Sequence, residues 1–167
     1  SAHNVPVVDG QGQQGWQEGE LLGFSANAAT VSAAQPEYRK DAGARRTLSI
    51  EKGVLRDSVT IETRDGAPHR LGIILNVQGK VSVPSDARSA QAPPFAHWDE
   101  AREWRSDGPL ELTARTGGRD FLIRVEGPGP LRIVHATVPD APPYRREALY
   151  VETNGSAATF HTQWIPR

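Results

Sequence analysis

The sequence has 167 residues, a length that fits one domain with a substantial hydrophobic core. Its 19 basic and 20 acidic residues leave a net charge of -1, which removes any general electrostatic argument for binding nucleic acid or an anionic membrane. The absence of cysteine excludes disulfides and thiolate metal sites, and no apolar run approaches the roughly 20 residues that a membrane-spanning helix needs.

Alternation of apolar and polar residues with a period of two predicts β-strands along the first half of the chain. These strands are expected over residues 20–24, 28–34, 46–51, 54–63 and 69–77. The fourth alternates cleanly except at Asp57, which places a carboxylate on an otherwise apolar face. The fifth is almost continuously apolar, which is typical of a strand buried on both faces. Between these two strands, Arg64-Asp65-Gly66 predicts a hairpin turn.

The second half of the chain continues in the same way. Strands are predicted over residues 80–83, 110–114, 120–125, 131–138, 147–153 and 157–165, and residues 95–105 are the only segment with a possible helical turn. Thr116-Gly117-Gly118-Arg119 predicts a hairpin between the second and third of these strands. Asn154-Gly155, a dipeptide favoured in type I′ turns, predicts a closing hairpin between the last two.

About ten or more short strands with turn residues between them and little helix predict an all-β fold, an antiparallel β-sandwich. Strands and helices do not alternate as they would in a protein with a parallel sheet. The sequence shows no internal repeat and no domain boundary, so residues 1–167 are predicted to form a single β-sandwich domain. The abrupt start and the lack of any methionine lead us to expect a fragment or processed part of a longer protein.

The histidines, at positions 3, 69, 97, 135 and 161, form no local metal-binding motif. The sequence also lacks a nucleophile elbow, a phosphate-binding loop and a dinucleotide-binding fingerprint. His135 and His161 fall within predicted strands, where an ordinary pleat position is the simpler interpretation. His69 begins a strand beside Pro68 and is a candidate for a residue that faces a cleft.

An aromatic and cationic cluster lies in the segment with the possible helical turn. An indole face can stack on a sugar ring, and arginine pairs with carboxylates. The cluster is therefore a candidate substrate-binding surface for an acidic polysaccharide, and its members are Trp98, Trp104, Arg102, Arg105 and His97. The alternative is a loop whose tryptophans fold back to cover a sheet edge.

The first thirteen residues combine a small residue, His3-Asn4, a β-branched run and Asp9-Gly10 with Gln13 three residues after Gly10. This combination resembles a stretch of the heparinase II/III-like polysaccharide lyases, a family that includes oligoalginate lyases. The later layout is similar as well. Asp57 stands where the family often has an aspartate after a short apolar stretch, Tyr38 precedes Arg45-Arg46 and a strand, and residues 157–166 look like the family's closing strand.

The resemblance implies a lyase that combines an N-terminal α/α toroid with a β-sandwich region of the super-sandwich type. Such enzymes cleave uronate-containing polysaccharides by β-elimination, in which a base takes the proton at C5 and the glycosidic oxygen leaves from C4. The catalytic base and acid are expected mainly in the toroid. Because nothing in this sequence resembles a helical array, no catalytic residue is assigned here. A periplasmic or secreted location is also what the family implies.

The family further implies a structural zinc site, made by a histidine of an upstream His-Gly-His motif, an aspartate, and the histidine of the His-Asn motif. The last of these matches His3, and neutral imidazole with a carboxylate is suitable zinc chemistry. The other ligands precede the first residue of this sequence, so a complete site requires the upstream toroid segment as a partner. Gln13, which closes the opening motif, is added to the candidate substrate-binding residues.

Two interpretations of function follow from these observations. The first is the β-sandwich portion of a polysaccharide lyase, inactive by itself and catalytic when joined to the toroid. The second is a non-catalytic carbohydrate-binding or structural β-sandwich module, since a fold alone does not determine function.

Overall fold

The computed structural model describes residues 3–141 and 144–167. These residues form strands in two antiparallel sheets, which confirms the predicted all-β sandwich. No helix that is long and apolar enough to cross a membrane occurs within them.

The strands follow one another with short connections between most of them. In chain order they are β1 (Pro6–Val8), β2 (Glu20–Ser25), β3 (Thr30–Arg39), β4 (Ala42–Glu51), β5 (Val54–Thr63), β6 (His69–Val77), β7 (Lys80–Val81), β8 (Arg88–Ser89), β9 (Asp99–Ser106), β10 (Leu110–Thr116), β11 (Arg119–Glu126), β12 (Leu131–Pro139), β13 (Arg145–Gly155) and β14 (Ala157–Pro166). The six-stranded sheet has the order β1-β6-β13-β12-β9-β8, and the eight-stranded sheet has the order β2-β3-β4-β5-β14-β11-β10-β7.

The main core lies between the two sheets, because alternate residues of most strands point into this space. Val59 and Ile61 of β5, Ile133 of β12 and Phe160 of β14 are examples, and all are buried. Burying a side chain of this size stabilises a fold by about 1.5–3 kcal/mol. The period-two pattern of the sequence is thus the cause of the sandwich.

A second apolar cluster covers the outer face of the six-stranded sheet, the face turned away from the other sheet. Ile74 of β6 points into this cluster, whereas Leu71, Ile73 and Leu75 point into the main core. The prediction that this strand is buried on both faces is therefore confirmed. Trp98 packs over the cluster from the loop before β9.

The two hairpin signals that contain Asn154-Gly155 and Arg64-Asp65-Gly66 were interpreted wrongly. The flanking strands lie in different sheets, so each connection crosses the sandwich instead of closing a hairpin. Residues 154 and 155 also lack the positive φ that a type I′ turn requires. The physical reason is that β13 is already paired on both edges, with β6 and β12. By contrast, the hairpin of β10 and β11 is confirmed, and Gly117 and Gly118 there have φ of 57° and 77°.

The expected helical turn within residues 95–105 is also wrong, because β9 begins at Asp99 and pairs with both β12 and β8. The exception predicted at Asp57 is confirmed. Its side chain is 5% exposed on the same face as Val59, and Arg46 neutralises it with two hydrogen bonds of 2.8 and 2.6 Å. Arg46 also donates to the backbone oxygen of Asn4, which fastens the opening segment to β4.

Candidate functional site

A groove of about 420 Å³ opens on the outer face of the six-stranded sheet, at the edge formed by β8 and β9. In the strand register, Arg88 of β8 lies directly opposite Glu103 of β9, and Arg105 of β9 lies directly opposite Arg132 of β12. Directly paired residues of neighbouring strands have their side chains on the same face. This edge groove is lined by Asp86, Arg88, Glu103, Trp104, Arg105 and Arg132.

Arg132 is held in place by two carboxylates. Its guanidinium donates to Oε2 of Glu103 at 3.1 and 2.5 Å and to Oε1 of Glu152 at 2.7 Å. Burial acts to lower the pKa of Arg132, but the hydrogen bonds to Glu152 and Glu103 outweigh it and the pKa is raised. The charge of Arg132 is therefore already compensated, and this arginine forms a fixed part of the groove.

Arg88 and Arg105 differ from Arg132, because both are exposed and neither makes a hydrogen bond or ion pair with the residues that the structure describes. A guanidinium with free donors binds a carboxylate or a sulfate through two parallel hydrogen bonds. Asp86, on the same groove, adds acceptors that suit sugar hydroxyls. The edge groove therefore combines two available cations with hydroxyl-binding groups.

The structure brings only part of the predicted aromatic cluster to this groove. Arg105 lines it, and so does Trp104, whose indole is half-buried against the main core on the side of Ile133. Trp98 is 4% exposed, its ring centroid lies 5.5 Å from that of Phe95, and it packs in the outer apolar cluster. Stacking of a sugar on Trp98 is incompatible with this burial.

The remaining candidate substrate-binding residues lie outside the edge groove. Arg102 projects to the other side of β9 and donates to the backbone oxygen of Ala87. His97 is exposed, with its ring 6.0 Å from that of Phe95. Gln13 is exposed and donates to the backbone oxygen of Gly15 at 3.0 Å.

Sequence reasoning missed Arg88, Glu103 and Arg132 as members of this groove. One signal was available, because Arg132 interrupts the apolar face that Val134 and Ala136 continue along β12. The pairing that unites the three residues connects segments far apart in sequence. No local pattern reports such a pairing.

His135 and His161 occupy ordinary positions within strands β12 and β14. His135 is buried, and its Nε2 lies 3.0 Å from Oε2 of Glu147. Burial acts to raise the pKa of Glu147, but hydrogen bonds from Lys80, the backbone of Val81 and His135 outweigh it and the pKa is lowered. His161 is exposed on the outer face of the eight-stranded sheet.

His3 is exposed beside the start of β1. Within residues 3–141 and 144–167, no group of three or more histidine, aspartate or glutamate side chains is arranged to hold a metal ion. A zinc site needs three or four such ligands fixed together. The described residues therefore do not form a complete zinc site, and among them His3 is the candidate ligand that the sequence predicts.

Comparison with known proteins reveals a similar fold in two larger enzymes. A mutant of the heparan sulfate lyase HepC from Pedobacter heparinus matches 99% of this chain with a TM-score of 0.63 and 10% identity, over 24% of its own chain. A 4-alpha-glucanotransferase from Thermococcus litoralis matches 89% of this chain with a TM-score of 0.54 and 8% identity, over 22% of its own chain. At these identities the likeness is one of fold, and this chain spans about a quarter of the length of either enzyme. No family model and no curated protein sequence matches the chain.

Proposed function

We propose that this chain is the β-sandwich portion of a polysaccharide lyase that cleaves a uronate-containing polysaccharide by β-elimination. The observation that carries the proposal is the similarity to a heparan sulfate lyase over 99% of this chain. The opening motif around His3 and Asn4 favours the same family on independent grounds.

In this proposal the sandwich binds the acidic saccharide and the missing toroid supplies the catalytic base and acid. Arg88 and Arg105 pair with a carboxylate or sulfate of the saccharide, and Arg132 keeps the groove in shape through Glu103 and Glu152. His3 contributes one ligand to a structural zinc ion, whose other ligands belong to the toroid segment. The protein is periplasmic or secreted, where its polymeric substrate is accessible.

The second candidate is a non-catalytic module that binds an acidic carbohydrate. The edge groove favours it, because the groove is formed within this chain whereas no catalytic residue is assigned to the chain. The glucanotransferase neighbour also indicates that the fold is not confined to lyases.

Two measurements separate the candidates. Calorimetric titration of this chain with heparan sulfate, alginate and hyaluronan oligosaccharides tests binding. The rise in ultraviolet absorbance of an unsaturated uronate tests elimination, by this chain and by the longer gene product that the first candidate requires. Binding by the chain together with elimination by the longer product alone supports the lyase. Binding without elimination by either supports the module, and elimination by this chain alone contradicts our placement of the catalytic groups.

Matched variants connect binding to the edge groove. Arg88→Ala and Arg105→Ala should each weaken binding about tenfold or more, because each removes a charge-assisted hydrogen bond. Arg119→Ala, which removes an exposed arginine from the first position of β11, should leave the affinity unchanged. Equal losses in all three variants would indicate nonspecific attraction by surface charge instead of a site.

A further inference from the structure

A second groove, of about 320 Å³, lies on the outer face of the eight-stranded sheet, on the opposite side of the sandwich from the edge groove. Four neighbouring strands, β4, β5, β14 and β11, form its floor. Its side chains are polar, and we name the group Ser49, Arg56, Ser58, Glu126, His161 and Gln163 the polar face.

The strand register arranges these side chains in two parallel rows. One row runs from Ser58 through His161 to Glu126, and the other from Ser49 through Arg56 to Gln163. Because paired residues point to the same face and neighbouring strands lie about 4.8 Å apart, the four strands present a surface about 14 Å across. That width suits one or two sugar rings.

Most of the polar groups on this surface are available to a ligand. The side chains of Ser49, Ser58, His161 and Gln163 make no hydrogen bond with the residues that the structure describes. Elsewhere on the same sheet face the hydroxyls satisfy one another, as in the 3.0 Å contact between Thr60 and Thr159. The polar face is therefore distinguished from its surroundings by unused donors and acceptors.

One arginine of the polar face, Arg56, is available to an anion. The Nε atom of Arg56 lies 3.8 Å from Oε2 of Glu51, which is too long for a hydrogen bond, and both side chains are largely exposed. Two acids line the groove, and both are occupied: Glu126 accepts a 2.8 Å hydrogen bond from Arg124, and Asp57 is paired with Arg46. An arriving carboxylate or sulfate therefore competes with Glu51 for the donors of Arg56.

We propose that the polar face is a second site for an acidic saccharide, at which Arg56 and His161 bind the anionic group while Ser58 and Gln163 bind ring hydroxyls. The ligand class rests on the proposed function, whereas the site itself rests on the groove and its unused polar groups. Two sites on opposite outer faces let one molecule hold two separate polysaccharide segments. Such bivalence raises the apparent affinity for long chains without any new contact.

The experiment is a titration of this chain with a heparan sulfate tetrasaccharide, followed by calorimetry and by backbone amide NMR shifts. Wild type should bind two tetrasaccharides per chain and shift the amides of both β9 and β14. The double variant Arg56→Ala/Gln163→Ala should lose the β14 shifts and bind one tetrasaccharide. Arg88→Ala/Arg105→Ala should lose the β9 shifts and also bind one, and Arg119→Ala should bind two. The substituted residues are on the surface, so an unchanged amide spectrum without ligand verifies the fold.

The outcomes separate this inference from the proposed function. A single site that survives Arg56→Ala/Gln163→Ala and is lost in Arg88→Ala/Arg105→Ala overturns the second site and leaves the proposed function intact. No binding at all overturns both. Binding of an uncharged maltotetraose with equal affinity at the polar face would overturn the assignment to an acidic ligand, because Arg56 and His161 would then contribute nothing specific.

Discussion

The imidazole of His69 is hydrogen-bonded to two carboxylates, with Nδ1 2.7 Å from Oδ2 of Asp9 and Nε2 3.0 Å from Oδ2 of Asp65. Asp9 directly follows β1, and Asp65 lies in the connection from β5 to β6. One side chain therefore connects the opening segment to the corner where the chain crosses between the sheets. Both ring nitrogens donate a hydrogen bond only when the imidazole is protonated, so both contacts are favourable only for the cation.

We expect this connection to weaken at alkaline pH. Hydrogen bonds to Asp9 and then to Asp65 raise the pKa of His69 in the folded protein above its unfolded value of about 6.5. The stabilising contribution is therefore complete below about pH 6.5 and is lost as the pH rises through the raised folded pKa. The melting temperature of wild type should exceed that of His69→Gln at about pH 6, and the difference should shrink by about pH 9.

The carboxylates impose the opposite dependence at acidic pH. The hydrogen bond to His69 lowers the pKa of Asp9, and the backbone of Ala67 followed by His69 lowers that of Asp65. Their contribution is present above the unfolded pKa of about 3.9 and is lost as the pH falls through the lowered folded pKa values.

The matched control for His69→Gln is His161→Gln, which replaces a histidine at an exposed strand position. A difference between wild type and His69→Gln that stays constant with pH would disprove the role of the imidazolium.

Removing the charge of Arg46 should lower the free energy of unfolding more than removing the charge of Asp57. Asp57 is 5% exposed and Arg46 is 33% exposed, so Arg46→Met leaves a buried charge while Asp57→Asn leaves an arginine that water can reach. We expect Arg46→Met to lower the free energy of unfolding by about 3 kcal/mol. Asp57→Asn, which keeps the shape and loses the charge, should cost about 1–2 kcal/mol. Equilibrium unfolding in urea measures both.

The control for this pair is Arg56→Met. This substitution removes an arginine from the opposite face of β5, the strand that contains Asp57. Because Arg56 is 46% exposed and its ion pair with Glu51 is long, the free energy of unfolding should change by no more than about 0.5 kcal/mol. Equal costs for Arg46→Met and Asp57→Asn would mean that desolvation of the carboxylate does not decide the stability of the pair.

The sequence predicts strands well in this fold because the core imposes a period of two on residues that are close along the chain. It does not predict which strands share a sheet. Gly117-Gly118 and Asn154-Gly155 are similar turn signals, yet only the first closes a hairpin. The difference lies in β13, whose two edges are occupied by β6 and β12, and these partners are set by packing across the whole molecule.

The same limit applies to the edge groove. Arg105 could be predicted from the sequence because it directly follows Trp104 in the chain. Arg88 and Arg132 reach the groove only through the register of β8, β9 and β12. Trp98 and Trp104 look equivalent in the sequence, but one covers the outer apolar cluster and the other lies against the main core.

Gly72 of β6 should not tolerate a side chain. A Cβ atom there would lie 2.6 Å from Cε2 of Tyr150 and 2.7 Å from the backbone oxygen of Val151, and neither partner can withdraw because Tyr150 is buried and Val151 lies in the sheet. We expect Gly72→Ala to cost about 3 kcal/mol of unfolding free energy, the upper end for overpacking. Gly108→Ala, where a Cβ would meet nothing within 4 Å, should be neutral or slightly stabilising in the same urea titration. Similar effects of both substitutions would show that the packing around Tyr150 is loose.

The zinc proposal predicts a difference between this chain and a longer gene product that also contains the toroid. Because the described residues do not form a set of three ligands, this chain alone should retain no stoichiometric zinc after dialysis. The longer product should retain one equivalent, and His3→Ala should lower that zinc content and the melting temperature together without changing which polysaccharide is cut. Asn154→Ala, at an exposed polar residue near the end of β13, is the control and should keep the metal. Elemental analysis decides the question, and an unchanged zinc content in His3→Ala would exclude His3 as a ligand.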